Sequence, residues 1–331
     1  MTSLPRPLAL SLLVLVGLLA LYPSFGPALF PAKHAFLMQK LTGIMIIAVL
    51  AMSLDLLVGI TGLVSLGHAA FFGLGGYMLA ILSPEYEAAN LWVALPLSLL
   101  AVAVAAAAVG YLSIRTSGVY FIMVTLAFGQ MGFYFFNDSK LVGGSDGSYI
   151  MVNPTLKIAG VSLLNLANKQ TLYYVALATF VGVYLLLRML LASPFGRVVA
   201  AIGINEQRVR GLGFNPTAYK LVAFVIGGVI AGLSGFLAAT QYGFVNPSML
   251  SWQHSGEALV MVILGGMGTL FGPALGAFVF ELTRMGFESL TEHWPVLMGA
   301  MVIGIVLLLP KGLAGLLLSL FAKPVASEDE E

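Results

Sequence analysis

The sequence predicts an all-α, polytopic integral membrane protein with about ten transmembrane helices. Hydrophobic residues make up 60% of the 331 residues, charged residues only 9%, and the mean hydropathy is +1.00. Soluble domains are about 45–50% apolar and about 25% charged. Apolar runs recur along the chain, and runs of about 20 residues form helices because a bilayer offers the backbone no hydrogen-bonding partner. We therefore predict one transmembrane domain over residues 1–322 and an acidic cytoplasmic tail over 323–331.

Ten apolar runs give about 8–10 predicted spans. They are Leu8–Tyr22, Ala35–Val58, Leu63–Leu82, Trp92–Ile114, Val119–Phe136, Leu172–Leu191, Tyr219–Tyr242, Gly256–Leu270, Pro273–Leu290 and Trp294–Leu309. The first could be a signal peptide, since Arg6 precedes it, but no small-x-small cleavage pattern follows, so we predict a retained helix. The second, fourth and seventh runs are the clearest. The third and eighth are short or glycine-rich and could be broken or re-entrant.

The positive charges predict the orientation, because cytoplasmic loops are enriched in Lys and Arg. Placing the loop over residues 192–218 in the cytoplasm puts both termini inside, with six of the seven arginines on that side and Arg284 within a span. The predicted outside lysines are Lys33, Lys40, Lys140, Lys157 and Lys169. The halves, about 1–136 and 171–310, flank an external loop over 137–171. An odd number of helices in each half would make them inverted repeats.

The composition and motifs exclude several classes of function. A net charge of +1 argues against a nucleic-acid binder with a basic surface. The chain has no cysteine, no G-x-x-x-x-G-K-[ST] phosphate loop and no H-E-x-x-H motif, and its four histidines are scattered. We therefore predict no catalytic residue, no metal site and no cofactor bound by this chain.

The glycine-dense segment Gly59–Tyr77 has two interpretations. Small residues let membrane helices pack closely, whereas a discontinuous helix would expose backbone groups along a pathway, with Ser65 and His68 adding polar contacts. Asp55 is an ionisable residue near the end of a span, which is a functional candidate by default. It could instead reach the cytoplasmic interface or cap the following turn.

The same question applies to the ionisable residues of the last predicted spans, which are Glu257, Glu281 and Arg284. Glu281 and Arg284 are three residues apart, and residues at that spacing share one helix face and can form an ion pair. We favour this structural role for the pair.

Two loops could contact partners. In the external loop, Gly143, Gly144, Ser145, Asp146 and Gly147 are typical turn residues, which form either a passive turn or a docking site for an external protein. The cytoplasmic loop interleaves polar Arg197, Asn205, Glu206, Arg208 and Arg210 with apolar Val198, Ile202 and Val209. A purely topological loop would need only the charges, so the interleaving favours a short helix at the membrane face that docks on another protein.

Seven ordered motifs resemble the permease subunits of ATP-binding-cassette importers for branched-chain amino acids. They are GLVSLGHAAFFGLGGY (62–77), GVYFIMVTLAFGQM (118–131, with Gln130), GGSDG (143–147), SPFGR (193–197), YKLVAFVI (219–226), LGGMGTLFGP (264–273) and PKGLAG (310–315). Two places depart from the family pattern. Gly203 and Ile204 replace its Arg-Glu pair, and Asp55 replaces its usual asparagine.

The resemblance implies a multi-pass permease of a bacterial inner membrane that forms a transport path with a second permease subunit. Two cytoplasmic ATPase subunits, which use ATP and Mg²⁺, would dock on the 192–218 loop, and a soluble binding protein would deliver substrate outside. Asp55, Ser65, His68 and Gln130 are then candidate residues of the path. Membrane lipid is a partner and nucleic acid is not.

Other functions remain open at this point. A urea or short-amide permease of the same family is the nearest alternative. A proton-coupled secondary transporter would place coupling ionisable groups along its spans, and Asp55 would fit such a role. A passive channel would need no partner loop, which the interleaved 192–218 segment argues against.

Overall fold

The computed structural model describes residues 6–29, 31–84, 86–139, 142–158 and 161–321. Within these ranges the chain forms thirteen α-helices and four short strands, which confirms the all-α fold class. The predicted acidic tail at 323–331 and Lys140 lie outside the described residues.

Each of the ten predicted runs contains one α-helix, and three short helices are added. The thirteen helices are α1 (Arg6–Leu29), α2 (His34–Asp55), α3 (His68–Leu82), α4 (Leu91–Ser113), α5 (Val119–Asp138), α6 (Lys169–Ala192), α7 (Pro194–Ile204), α8 (Glu206–Gly211), α9 (Pro216–Tyr242), α10 (Trp252–Gly265), α11 (Phe271–Leu290), α12 (Trp294–Leu308) and α13 (Gly312–Phe321). The strands are β1 (Ser148–Tyr149), β2 (Thr155–Ile158), β3 (Val161–Asn165) and β4 (Phe244–Val245). β1 pairs with β4 and β2 with β3, both antiparallel.

Six of the described helices are long and apolar enough to cross a membrane: α1, α2 with the turn that follows it, α4, α5, α6 and α9. The pair α12 and α13 makes a seventh if it crosses as one span bent by 46°. α3 and α10 have 15 and 14 residues, so each extends about 21–23 Å, less than the roughly 30 Å of hydrocarbon. α11 has 20 residues but is not among the six, since it carries three charged residues, Glu281, Arg284 and Glu288. The chain is therefore a multi-pass membrane protein, while the count of ten spans stays a prediction.

α2 is the central helix of the bundle. It is buried along most of its length, whereas α1, α4, α5 and α6 leave most of their surface exposed. It packs against α6, α9, α10 and α11. A helix that is apolar on every side is stable in such a position, because no face needs water.

Two interruptions of helical structure define the layout of the bundle. α2 continues as a π turn over Leu56–Thr61, which ends at Gly62 with a φ of 75°. Residues 62–67, which we call the first break, then lead into α3. Residues 266–270, the second break, separate α10 from α11. The glycine-dense segment thus contains both a break and, from His68 onward, a packed helix, while its role in a pathway stays a prediction.

The connecting segments lie at two opposite ends of the bundle. At one end, a Cβ on Gly203 of α7 would overlap the carbonyl of Ile60, and Gly312 of α13 lies against Gly266 of the second break. We call this the α7 end. At the other, the Ile150 N–H donates to the carbonyl of Gly243 at 2.8 Å, beside the paired β1 and β4. We call this the strand end.

Candidate functional site

Asp55 joins the end of α2 to the second break. Its side chain has no exposed surface, and its carboxylate accepts the backbone N–H groups of Gly268 at 2.7 Å and Leu270 at 3.2 Å. Leu270 has a φ of 59°, the one positive φ of a non-glycine among the described residues. Gly59 lies beside this contact, where a Cβ would overlap both the Asp55 carboxylate and the Gly268 backbone. Asp55 therefore caps a turn, although in a distant segment rather than its own.

His68 lies at the start of α3, where the first break ends. It is fully buried, and its Nε2 lies 2.8 Å from the Ser53 hydroxyl on α2. The Ser53 hydroxyl also donates to the Leu50 carbonyl at 2.7 Å. Because that hydroxyl has one proton, we assign the hydrogen of the Ser53–His68 bond to Nε2. Nδ1 has no hydrogen-bond partner among the described residues.

Ser65 and Gln130 lie near the same break. The Ser65 hydroxyl is buried with no hydrogen-bond partner in the described part of the chain. It lines a cavity of about 20 Å³ together with Thr125, which is large enough for one water molecule. Gln130 is half-buried on α5 and follows Gly129, where a Cβ would lie 3.1 Å from the Cα of Gly67. The structure thus places Ser65 in the first break, His68 at its end, and Gln130 next to the residue that contacts Gly67. It places Asp55 at the second break.

A larger cavity opens between α2, α9, α10 and α11 towards the strand end, with a volume of about 610 Å³. Six of its lining residues have acidic or basic side chains: Lys40, His254, Glu257, Glu281, Arg284 and Glu288. Charged groups within membrane helices face a protein interior or a water-filled cavity, because exposing them to lipid is costly. Three of these residues, Glu257, Glu281 and Arg284, are already candidates from the sequence, the last two as an ion pair. The sequence contains no sign that Lys40 and His254 would join them.

The ionisable residues of this cavity form short-range pairs. Arg284 lies 3.6 Å from Glu281, which confirms the predicted i,i+3 pair, and its Nε donates to Glu288 at 2.8 Å. The Arg284 guanidinium also lies over the Trp294 ring, 5.0 Å from its centre. His254 Nδ1 lies 3.2 Å from the Glu257 carboxylate.

The predicted docking loop folds into α7 and α8, whose boundaries are set by side-chain caps. The Ser193 hydroxyl accepts the Gly196 N–H at 3.3 Å, and the Asn205 side chain accepts the Arg208 N–H at 3.0 Å. Ser, Asn and a following Pro are typical helix-start residues. Asn205 therefore acts as the cap that separates the two helices.

Glu206 attaches α8 to the bundle. Its carboxylate pairs with Arg210 at 3.2 Å and with Lys220 of α9 at 2.5 Å. Lys220 is only 11% exposed, so this pair is better shielded from water than a typical surface ion pair.

The outer face of α7 and α8 combines positive charge with exposed apolar side chains. Arg197 and Arg208 are exposed. Ile204 and Leu212 are 85% and 76% exposed, respectively. We call these four residues the α7–α8 surface. Its two apolar members are functional candidates that the sequence did not indicate.

The Gly143–Gly147 segment lies at the strand end. Gly144–Asp146 form a single 3-10 turn flanked by Gly143 and Gly147, whose φ angles of 82° and 76° favour glycine. A Cβ on Gly147 would overlap the Val245 carbonyl of β4. The segment also has the letters G-x-S-x-G, but Ser145 is exposed in a turn and not at the strand-to-helix elbow where that motif positions a nucleophile.

Comparison with known proteins gives a consistent result. Residues 36–309 match the family described as "Branched-chain amino acid transport system / permease component". The chain is 31% identical over 288 residues to the high-affinity branched-chain amino acid transport system permease protein LivM of Salmonella typhimurium, covering 81% of this chain and 68% of that one. LivM of Escherichia coli K12 is 30% identical with the same coverage.

A further relative carries a name other than LivM. The permease protein LivH of Salmonella typhimurium is 24% identical over 301 residues, covering 85% of this chain and 96% of that one. No solved structure gives a significant match to the chain.

Proposed function

Because the chain belongs to the family of permease components of branched-chain amino acid transport systems, we propose that it forms, with a second permease, the path for ATP-driven uptake of these amino acids. The family match over residues 36–309 carries this proposal. LivM and LivH are both named as permease proteins of a high-affinity branched-chain amino acid transport system. This supports a transport path formed by two related chains. The protein itself is a non-enzymatic membrane component, and partner ATPase subunits hydrolyse ATP with Mg²⁺.

In this proposal the α7 end faces the cytoplasm of a bacterium and the chain spans its inner membrane ten times, through α1–α6 and α9–α12. The positive charges of the 192–218 loop support this orientation. With an even number of spans both termini lie inside, and α1 and α13 contact each other. The strand end, with the Gly143–Gly147 turn, would face the binding protein outside.

Neither alternative from the sequence is favoured. The relatives named above are branched-chain amino acid permeases, which argues against urea or short amides. Asp55, the residue that suited an ion-coupled transporter, uses both carboxylate oxygens to accept backbone hydrogen bonds.

The energy source provides the test of the proposed function. In vesicles that contain the permease with its ATPase and binding-protein partners, we expect leucine uptake to require ATP and to persist when an uncoupler removes the proton gradient. Radiolabelled uptake at constant ATP measures both conditions. Loss of uptake on uncoupling, with ATP held constant, would contradict an ATP-driven importer.

The α7–α8 surface provides a second test. Replacing Arg197, Glu206 and Arg208 together with alanine is expected to remove the ATPase subunits that co-purify with the permease. The variant removes both exposed arginines of this surface and also the Glu206–Lys220 pair that attaches α8 to the bundle. Quantitative co-purification from the membrane measures the effect.

Two further variants make this result specific. The Arg197→Ala/Arg208→Ala double variant leaves Glu206 paired with Lys220, so it separates lost docking charges from a loosened α8. The Lys33→Ala/Lys169→Ala variant removes two exposed charges elsewhere and is expected to retain the ATPase. Full ATPase recovery with the triple variant would show that this surface is not the docking site.

A further inference from the structure

We propose that the cavity towards the strand end, about 610 Å³ in volume, is a binding site for one zwitterionic aliphatic α-amino acid within this single chain. The inference rests on the proposed function and adds a place and a chemistry for substrate recognition. It assigns the recognition of the α-carboxylate to Lys40 and that of the α-ammonium to Gln241 and Glu281.

The size and the apolar wall of the cavity suit such a ligand. Its volume lies within the range of about 300–1000 Å³ that small-molecule sites occupy. One wall consists of apolar side chains from α2 and its neighbours: Ile44, Ile47, Leu50, Phe72 and Met261. An aliphatic side chain placed there gains from leaving water, by about 25 cal/mol for each Å² buried.

The charges around the opening suit the other end of the ligand. An α-amino acid zwitterion has a positive and a negative group bonded to the same carbon atom, so its site needs both signs of charge within a short distance. Lys40 forms no ion pair with any described residue. Arg284, in contrast, donates to Glu288 at 2.8 Å and lies over the Trp294 ring. Lys40 has only a ring contact among the described residues, with Phe36 at 5.7 Å from the ring centre. Lys40 is therefore the cation that is available to a carboxylate.

An unpaired acceptor lies beside Lys40. The Gln241 side chain donates its Nε2 hydrogen to the carbonyl of Gln39, the residue before Lys40, at 2.8 Å. Its Oε1 is buried and accepts no hydrogen bond from the described residues. A buried acceptor without a donor is unfavourable unless a ligand or water supplies one. An ammonium group with three N–H donors would satisfy it.

Glycine keeps this corner of the cavity open. A Cβ on Gly43 would lie 3.3 Å from the Tyr242 hydroxyl and 3.4 Å from Gln241 Nε2. Glu281 is the most buried carboxylate of the cavity, with 17% of its side chain exposed. Its contact with Arg284, at 3.6 Å, is longer than that between Arg284 and Glu288, at 2.8 Å. Glu281 is thus the acidic group least committed to a partner within the protein. A lipid tail would match the apolar wall but not these charges.

The absence of cysteine in the natural chain allows a direct test. Single cysteines are introduced as Ile47→Cys on the apolar wall and as Ser248→Cys, an exposed lining residue. The complex in sealed vesicles is treated from the outside with a membrane-impermeant thiosulfonate reagent, with and without L-leucine. Glu292→Cys is the matched control, because it is exposed in the α11–α12 connection and does not line the cavity.

We expect leucine at ten times its dissociation constant to slow modification of the Ile47→Cys variant about tenfold by mass action, and to leave the Glu292→Cys control unchanged. Leucinamide, which lacks the carboxylate, and 4-methylpentanoate, which lacks the ammonium, should protect at least about tenfold less well. Adding Lys40→Gln should remove most of the protection by leucine but change little with leucinamide. Adding Lys33→Gln should change neither.

Several outcomes would overturn the inference. Absence of protection by leucine, or equal protection by all three compounds, would show that the cavity does not recognise a zwitterion. Failure of both cavity cysteines to react without leucine would show that the cavity is closed to the outside. ATP-driven uptake by vesicles that contain the cysteine-free permease distinguishes the two proposals. Intact uptake without protection rejects the cavity site alone, whereas absent uptake rejects the proposed function.

Discussion

Replacing Asp55 with alanine is expected to lower the free energy of unfolding by about 2–5 kcal/mol, because two backbone N–H groups, one buried and one partly buried, would lose a charged acceptor. The groups belong to Gly268 and Leu270, and the backbone around them has positive φ angles that this contact helps to hold. Denaturant titration of the purified permease in mixed micelles measures the loss.

Two variants define the cause of this loss. Asp55→Asn keeps a carbonyl acceptor at the same position, so we expect less than half of the destabilisation. Thr42→Ala, also on α2, removes a buried hydroxyl whose bond is to the Met38 carbonyl of its own helix, at 2.8 Å. This control is expected to lose about 1 kcal/mol or less. A stability of Asp55→Ala equal to that of Thr42→Ala would show that the carboxylate does not hold the second break.

The long-range origin of this contact explains why the sequence left the role of Asp55 open. The carboxylate and the Gly268 N–H are 213 residues apart. A local pattern can place a carboxylate near the end of an apolar run, but it contains no information about which distant backbone will lie against it. Only the folding of the second break against α2 shows that Asp55 caps a distant turn. Its place in the transport path stays a prediction.

The helices themselves were predictable because their signal is local. Each of the ten apolar runs contains a helix, because the apolar composition and the length of a run are enough to predict one in a membrane protein. The ends were less predictable. α2 was predicted to end at Val58 and instead continues through a π turn to Thr61, where the side chain donates to the Leu56 carbonyl at 2.7 Å. α10 begins at Trp252, earlier than predicted, because polar residues such as His254 and Glu257 are accommodated on the cavity side.

The charged cavity shows the same limit. Glu281 and Arg284 share a helix, so their pairing followed from spacing alone. Lys40 was assigned to the outside by counting spans, and only the packing of α2 against α11 brings it to the same cavity. The exposed Ile204 and Leu212 were also not foreseen, because an apolar residue in an amphipathic helix is normally expected to be buried. The Asn205 cap, in contrast, had a local signal in its residue type.

The closest backbone approach between α3 and α9 leads to the second large effect. Replacing Gly235 with alanine is expected to lower the free energy of unfolding by about 1–3 kcal/mol or more. A Cβ there would overlap the Phe72 carbonyl, and a Cβ on Gly75 would likewise overlap the carbonyl of Gly232. Since the obstacle is backbone in both cases, no side-chain rotation relieves it and the two helices must separate. The same denaturant titration measures the effect for Gly235→Ala and Gly75→Ala.

A glycine without neighbours separates this packing effect from helix propensity. Gly182 is exposed on α6, and a Cβ there would meet no atom within 4 Å. Gly182→Ala is therefore expected to stabilise the chain by up to about 1 kcal/mol, since alanine is the better helix former. The two substitutions are chemically identical and should have opposite signs. If Gly235→Ala were also stabilising, the glycines of the α3–α9 contact would not be needed for close packing. Close packing would then no longer explain the glycines of α3.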